Sequence, residues 1–169
     1  MQATLLDLGD LALGLGADRQ IKESLSPVDS GDLRRTINGA LTSLVDPAFR
    51  KFKLSVSCDD MHTPGFASAW KGRQLTVRPS SDLTDLIAVG GISRTLERDP
   101  VAGSVRAVDV DGATVAFTVA GRVVTLGAAA AKTTRLFYRP VLVMLVASWS
   151  TDQDEAGATT SWQLELEEV

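Results

Sequence analysis

Apolar and polar residues alternate most cleanly over Lys51–Asp59. Phe52, Leu54, Val56 and Cys58 fall on one side of an extended chain, and Lys51, Lys53, Ser55, Ser57 and Asp59 fall on the other. A period of two predicts a strand with one buried face. The same period runs through Ser161–Val169, where Trp162, Leu164 and Leu166 oppose Gln163, Glu165 and Glu167. Before it stand an apolar run, Leu136–Trp149, and a polar stretch rich in Asp and Gly, Asp152–Gly157. Together these segments predict a C-terminal β-hairpin whose first strand is covered on both faces. Leaving its apolar groups wet would be costly, so the C-terminal segment is expected to be pinned in a sheet.

Turn signals place further strands. Asn38-Gly39 lies between Leu33–Ile37 and Ala40–Val45, a strong hairpin instruction of the type I′ kind. Asp111-Gly112 and Gly121-Arg122 separate Gly103–Val110, Ala113–Ala120 and Val123–Leu126 into a meander. Gln74–Arg78 is a short alternating strand, and Met61–Ala69, with Pro64 and Gly65, has room for one helical turn around Phe66–Trp70. Asp82–Val89 fits helix or strand, and Gly127–Lys132 fits a small helical linker or a loose loop tip. Residues 1–20 mix leucines at 5, 6, 8, 11, 13 and 15 with glycines at 9, 14 and 16, which suits a strand start followed by a flexible arm. The expected fold is mainly β: a β-sandwich or small β-barrel with one or two short helices. It has an N-terminal arm at 1–20 and a single β domain over 21–169.

A chain of 169 residues can bury a sizeable core without staples. Cys58 is its only cysteine, so no disulfide framework is expected and a cytoplasmic site of folding is. With 17 basic and 21 acidic side chains the net charge of −4 is mild and disfavours a dedicated nucleic-acid binder. The first residues lack the basic start of a signal peptide, and no run approaches the ~20 apolar residues of a membrane span, so no membrane insertion is expected.

Candidate chemistry is sparse. Cys58 and His62, with Asp59 and Asp60 between them, resemble half a metal site, but a structural zinc needs a second pair of ligands. The same residues could serve as nucleophile and base, although a buried cysteine and a surface histidine explain them more simply. Asp109, Asp111 and Gly112 resemble the start of a calcium loop, yet position 120 is Ala where the bidentate Glu would stand. Gly90-Gly91 and Gly14-x-Gly16 match neither phosphate-binding fingerprint. No catalytic, cofactor or metal residue is therefore assigned. Three other features remain. Arg34-Arg35 and Arg50-Lys51 with Lys53 lie on strands expected to neighbour one another and to meet acids of another subunit or water. The leucine-bearing arm could cover a sheet edge of its own chain or of a neighbour. Trp70, Trp149 and Trp162 are expected in the core or at an interface.

Leu33-Arg-Arg-Thr-Ile-Asn-Gly39, Phe49-Arg-Lys-Phe52 with Ser57-Cys-Asp59, Trp70-Lys-Gly-Arg-Gln-Leu-Thr-Val77, and Tyr138-Arg-Pro140 through Trp162–Glu168 resemble structural proteins of siphophage tails. The similarity is to distal-tail and tail-tip hub proteins, in pieces from residue 33 onward, with 92–132 as an inserted β-hairpin region. The resemblance implies a tail-tube-like β fold and a non-enzymatic role as an oligomeric ring at the tail tip or baseplate. Three or six copies would join the tail tube to the adhesion device, beside tube, hub or fibre proteins. DNA would only pass through the lumen. It implies residence in the virion after synthesis in the host cytoplasm. The reading from a different class is a soluble β-barrel module holding a small ligand or carbohydrate among the three tryptophans.

Overall fold

The computed structural model describes residues 4–43, apart from 12, 15, 30 and 32, and residues 49–169. Leu15 of the expected arm, and Leu44 and Val45 of the expected second hairpin strand, lie outside the described residues. The chain is mainly β, with half of the described residues in strands. In chain order these are β1 (Lys22–Pro27), β2 (Leu33–Arg35), β3 (Leu41–Ser43), β4 (Phe52–Asp60), β5 (Gln74–Val77), β6 (Leu83–Ile87) and β7 (Ser93–Thr95). β8 (Arg106–Asp109), β9 (Phe117–Ala120), β10 (Val123–Leu126), β11 (Thr134–Tyr138), β12 (Leu142–Asp154) and β13 (Thr159–Glu168) follow. A 3₁₀ turn at Phe66–Ser68 occupies the place where one helical turn is expected.

Two compact units divide the chain: residues 1–13 with 75–143, and residues 14–74 with 144–169. The first holds two three-stranded antiparallel sheets, β7-β10-β9 and β6-β11-β8. Its core gathers Ile87, Leu96, Ala107, Val124, Leu126, Ala130, Leu136 and Tyr138. Residues 92–132 thus hold β7 to β10 and supply five of these core side chains, from Leu96 to Ala130. The undecided segment Asp82–Val89 is a strand because β6 pairs with β11, from Leu83↔Tyr138 to Ile87↔Thr134. Gly121-Arg122 is a two-residue connection, with Ala120 paired to Val123. The alanine tract forms neither a helix nor a loose tip: Ala130 is buried, and its N–H and C=O bond to Gly91 O and Gly90 N.

The N-terminal segment does not extend as a flexible arm over residues 4–11. Leu6, Leu8 and Leu11 are buried, Asp7 and Arg78 exchange both backbone hydrogen bonds, and the Arg139 guanidinium donates to Leu5 O. Gly9 explains the close fit. It sits at φ +63°, and a Cβ there would stand 2.7 Å from Thr76 O. Burying three leucines outweighs the entropy a free arm would keep.

In the second unit β1, β4, β13 and β12 lie side by side in that order, all antiparallel. Leu54, Val56 and Cys58 of β4 meet Leu166, Leu164 and Trp162 of β13 on a buried face, as the alternation requires. The expectation that the first strand of the C-terminal hairpin is covered on both faces fails. β11 and β12 are separate strands, and within β12 Met144 and Val146 are buried while Leu145 and everything from Ser148 onward are exposed. An uninterrupted apolar run cannot by itself say whether its second face is covered. Ala147 is an extra residue, a β-bulge, since Val146 pairs with Leu166 but Ser148 with Glu165.

Candidate functional site

The hairpin β2–β3 is exposed along its whole described length, Leu33 to Ser43. Leu33, Arg35, Leu41 and Ser43 share one face, Arg34 and Thr42 the other, and Ile37 projects fully into solvent at the tip. Its turn differs from the two-residue type I′ loop that Asn38-Gly39 suggests. Thr36 N donates to Ala40 O and Gly39 N to Thr36 O, and Gly39 carries the only positive φ of the loop. This is a three-residue loop, a type I turn closed by a left-handed glycine. The same hydrogen bonds recur at Asp109–Ala113, where the calcium-like sequence turns out to be a hairpin corner. There Asp109 Oδ1 accepts from Asp111 N and Ala113 N, and Asp111 forms an ion pair with Lys132.

Among the described residues nothing accounts for leaving Leu33, Ile37 and Leu41 in water. A lone two-stranded hairpin is marginal even when amphipathic, and clustered exposed apolar groups mark a contact surface. The expectation that Arg34-Arg35 and the Arg50, Lys51, Lys53 group sit on neighbouring strands is not met, because β2 and β3 form a sheet of their own apart from β4. Lys53 instead faces Glu167 across β13 in register, and Lys51 Nζ donates to Val169 O.

The outward face of the second unit's sheet is polar throughout most of its area. Ser24, Ser55, Glu165 and Ser148 form one row across four strands, and Lys22, Ser57, Gln163 and Ser150 form the next. Ser148 Oγ donates to Glu165. A groove of about 440 Å³ runs along Ser24, Ser26, Lys53, Ser55, Ala147 and Glu165. A second, of about 470 Å³, lies where the hairpin β12–β13 outruns the core, lined by Asp59, Asp152 and Asp154 with Gln20, Thr159 and Thr160. Asp59 and Asp152 both oppose Ser161, one from each side. Among the described residues no group of three or more His, Cys, Asp or Glu side chains is placed to hold a metal ion.

Cys58, Asp60 and His62 do different jobs. Cys58 is buried on the inner face, and burial, helped by the charges of Asp60, Asp59 and Asp18, pushes its thiol above the usual range. A thiol held protonated is a poor nucleophile. Asp60 is buried too, and burial alone would raise its carboxyl. The backbone N–H groups of Arg19 (3.1 Å) and Met61 (2.9 Å), with the Arg19 charge, outweigh this and hold it below the ordinary range. Asp60 thereby ties residues 16–20 to the end of β4, where Gly16 O also accepts from Met61 N and His62 N. His62 is exposed beside Gly16.

The tryptophans do not form one cluster. Phe66 of the 3₁₀ turn stacks on Trp149 at 5.1 Å between centroids and meets Trp162 edge-on at 5.6 Å. Trp162 is buried with its indole N–H unpartnered, whereas Trp70 is 76% exposed. Neither groove of this unit has a tryptophan in its wall.

The acidic groove escapes sequence reading because Asp59 lies some ninety positions from Asp152 and only strand register joins them. Alternation signalled Asp59's outward face; nothing local signalled its neighbours. No protein-family model matches the chain, and no curated protein or solved structure matches it significantly.

Proposed function

We propose that this chain is a non-enzymatic structural component of a bacteriophage or phage-like tail. It forms an oligomeric ring at the tail tip or baseplate that connects the tail tube to the adhesion device. The carrying observation is the hairpin Leu33–Ser43, which leaves Leu33, Ile37 and Leu41 uncovered in the single chain. A subunit that assembles head to tail needs such a projecting surface, and closure of that contact gives a ring. The mainly β fold and the polar sheet face bearing Ser55, Ser57, Gln163 and Glu165 suit a subunit around an aqueous passage. The residues quoted for the resemblance to tail proteins add the particle.

Two measurements test this. Light scattering of the purified chain, alone and with its tail partners, is expected to give three or six copies. Antibody-labelled electron microscopy of assembled particles is expected to mark the tail tip. A protein that stays monomeric beside those partners, and labels no part of a virion, overturns the reading.

A further inference from the structure

We propose that the hairpin β2–β3 of one copy seats in the acidic groove of a second copy, as the repeating contact of a head-to-tail assembly. This rests on the self-assembly proposed above and adds the two surfaces that meet.

Charge selects the pair. Over Leu33–Ser43 the hairpin carries Arg34 and Arg35 and no acid. The groove carries Asp59, Asp152 and Asp154 and no base. These carboxylates do not converge as ion ligands do, which suits an extended cationic partner with several contact points better than a point charge. Guanidinium groups suit it best, since their planar fork pairs with carboxylates bidentately.

The apolar part of the hairpin finds a counterpart at the groove's rim. Thr160, a lining residue, donates through Oγ1 to Met61 O, so the Met61 backbone adjoins the groove's wall, and its side chain is about half exposed. A flexible thioether adapts its shape to whichever of Leu33, Ile37 or Leu41 reaches it. The hairpin and groove belong to the same compact unit yet do not cover one another, because the hairpin is exposed from end to end. Two different, complementary surfaces on one molecule make a heterologous contact, which closes into a ring or runs on as a filament.

Sedimentation of the full chain over a concentration series tests the contact, at low and at high salt because exposed charge pairs are screened. Arg34→Glu with Arg35→Glu should weaken self-association by about tenfold or more, and Asp152→Lys with Asp154→Lys by a similar factor. All four changes in one chain should restore it. Circular dichroism and melting curves check folding, and the conservative set Arg34→Gln, Arg35→Gln, Asp152→Asn and Asp154→Asn replaces any reversal that misfolds. Wild-type protein that oligomerises while the groove variants associate as tightly as it does overturns this contact and leaves assembly standing. Wild-type protein that is monomeric at every concentration overturns both.

Discussion

The hairpins β2–β3 and β12–β13 are built by similar local means and end in opposite circumstances. Each folds back through a short polar turn, and each alternates large and small or apolar and charged residues. The C-terminal one lays Trp162, Leu164 and Leu166 against Cys58, Val56 and Leu54. The other lays Leu33, Arg35 and Leu41 against nothing among the described residues that hides them from water. Turn chemistry decides that a hairpin forms; whether it is anchored depends on a second surface elsewhere in the fold or outside it.

The largest effect should come from the anchored hairpin. Leu164 is fully buried between Val56 and Trp149, so Leu164→Asp places an unpaired charge in the core. A loss of roughly 4 kcal/mol or more is expected in urea unfolding. A variant that unfolds at the wild-type midpoint would mean this hairpin is no better anchored than the other.

Acid should loosen the anchored side next. Asp60 at the end of β4 has its carboxyl held below the ordinary value, so its contribution is fully present above the unfolded pKa of about 3.9. It is lost as the pH falls through the lower folded value. Asp60→Asn should therefore melt below wild type at neutral pH, and the gap should narrow in acid. A gap that stays constant down to pH ~2 would remove Asp60 from the account.

Gly39→Ala should cost about 1–2 kcal/mol locally, because Gly39 sits at φ +80°. Hydrogen exchange should show faster exchange at Gly39 N and Thr36 N with no change in melting temperature. A fall in melting temperature would show that the exposed hairpin belongs to the cooperative core after all. Smallest of all, Leu33→Ser with Leu41→Ser should leave the stability of the isolated chain within about 0.5 kcal/mol. The same pair should weaken self-association, and a large loss of monomer stability would point to packing within the chain.

Much of this was legible in the residues. The period of two in Lys51–Asp59 and Ser161–Val169 named the buried face of β4 and β13 side chain by side chain. Gly121-Arg122 and Asp111-Gly112 marked real corners. What failed did so for physical reasons. Three glycines among the leucines of residues 1–20 suggested looseness, while Gly9 in fact permits a close backbone approach to Thr76. The apolar run into β12 gave no period to separate inner from outer positions, and Asn38-Gly39 fixed the presence of a turn more firmly than its length. Of the candidate site, Arg34 and Arg35 were visible from the start. The carboxylates of Asp59, Asp152 and Asp154 come together only through nonlocal pairing.

The extra residue at Ala147 decides more than a local kink. Were Ala147 taken up as a paired residue in an unbroken ladder, Ser148 would face Leu164, and Trp149 would face Gln163 on the wet side, too far round to reach Phe66. Asp152 and Asp154 would swing inward by the same half-turn of pleat. One surplus position thus sets the phase of the far half of the strand, and the aromatic stack and the acidic wall share their dependence on that single offset.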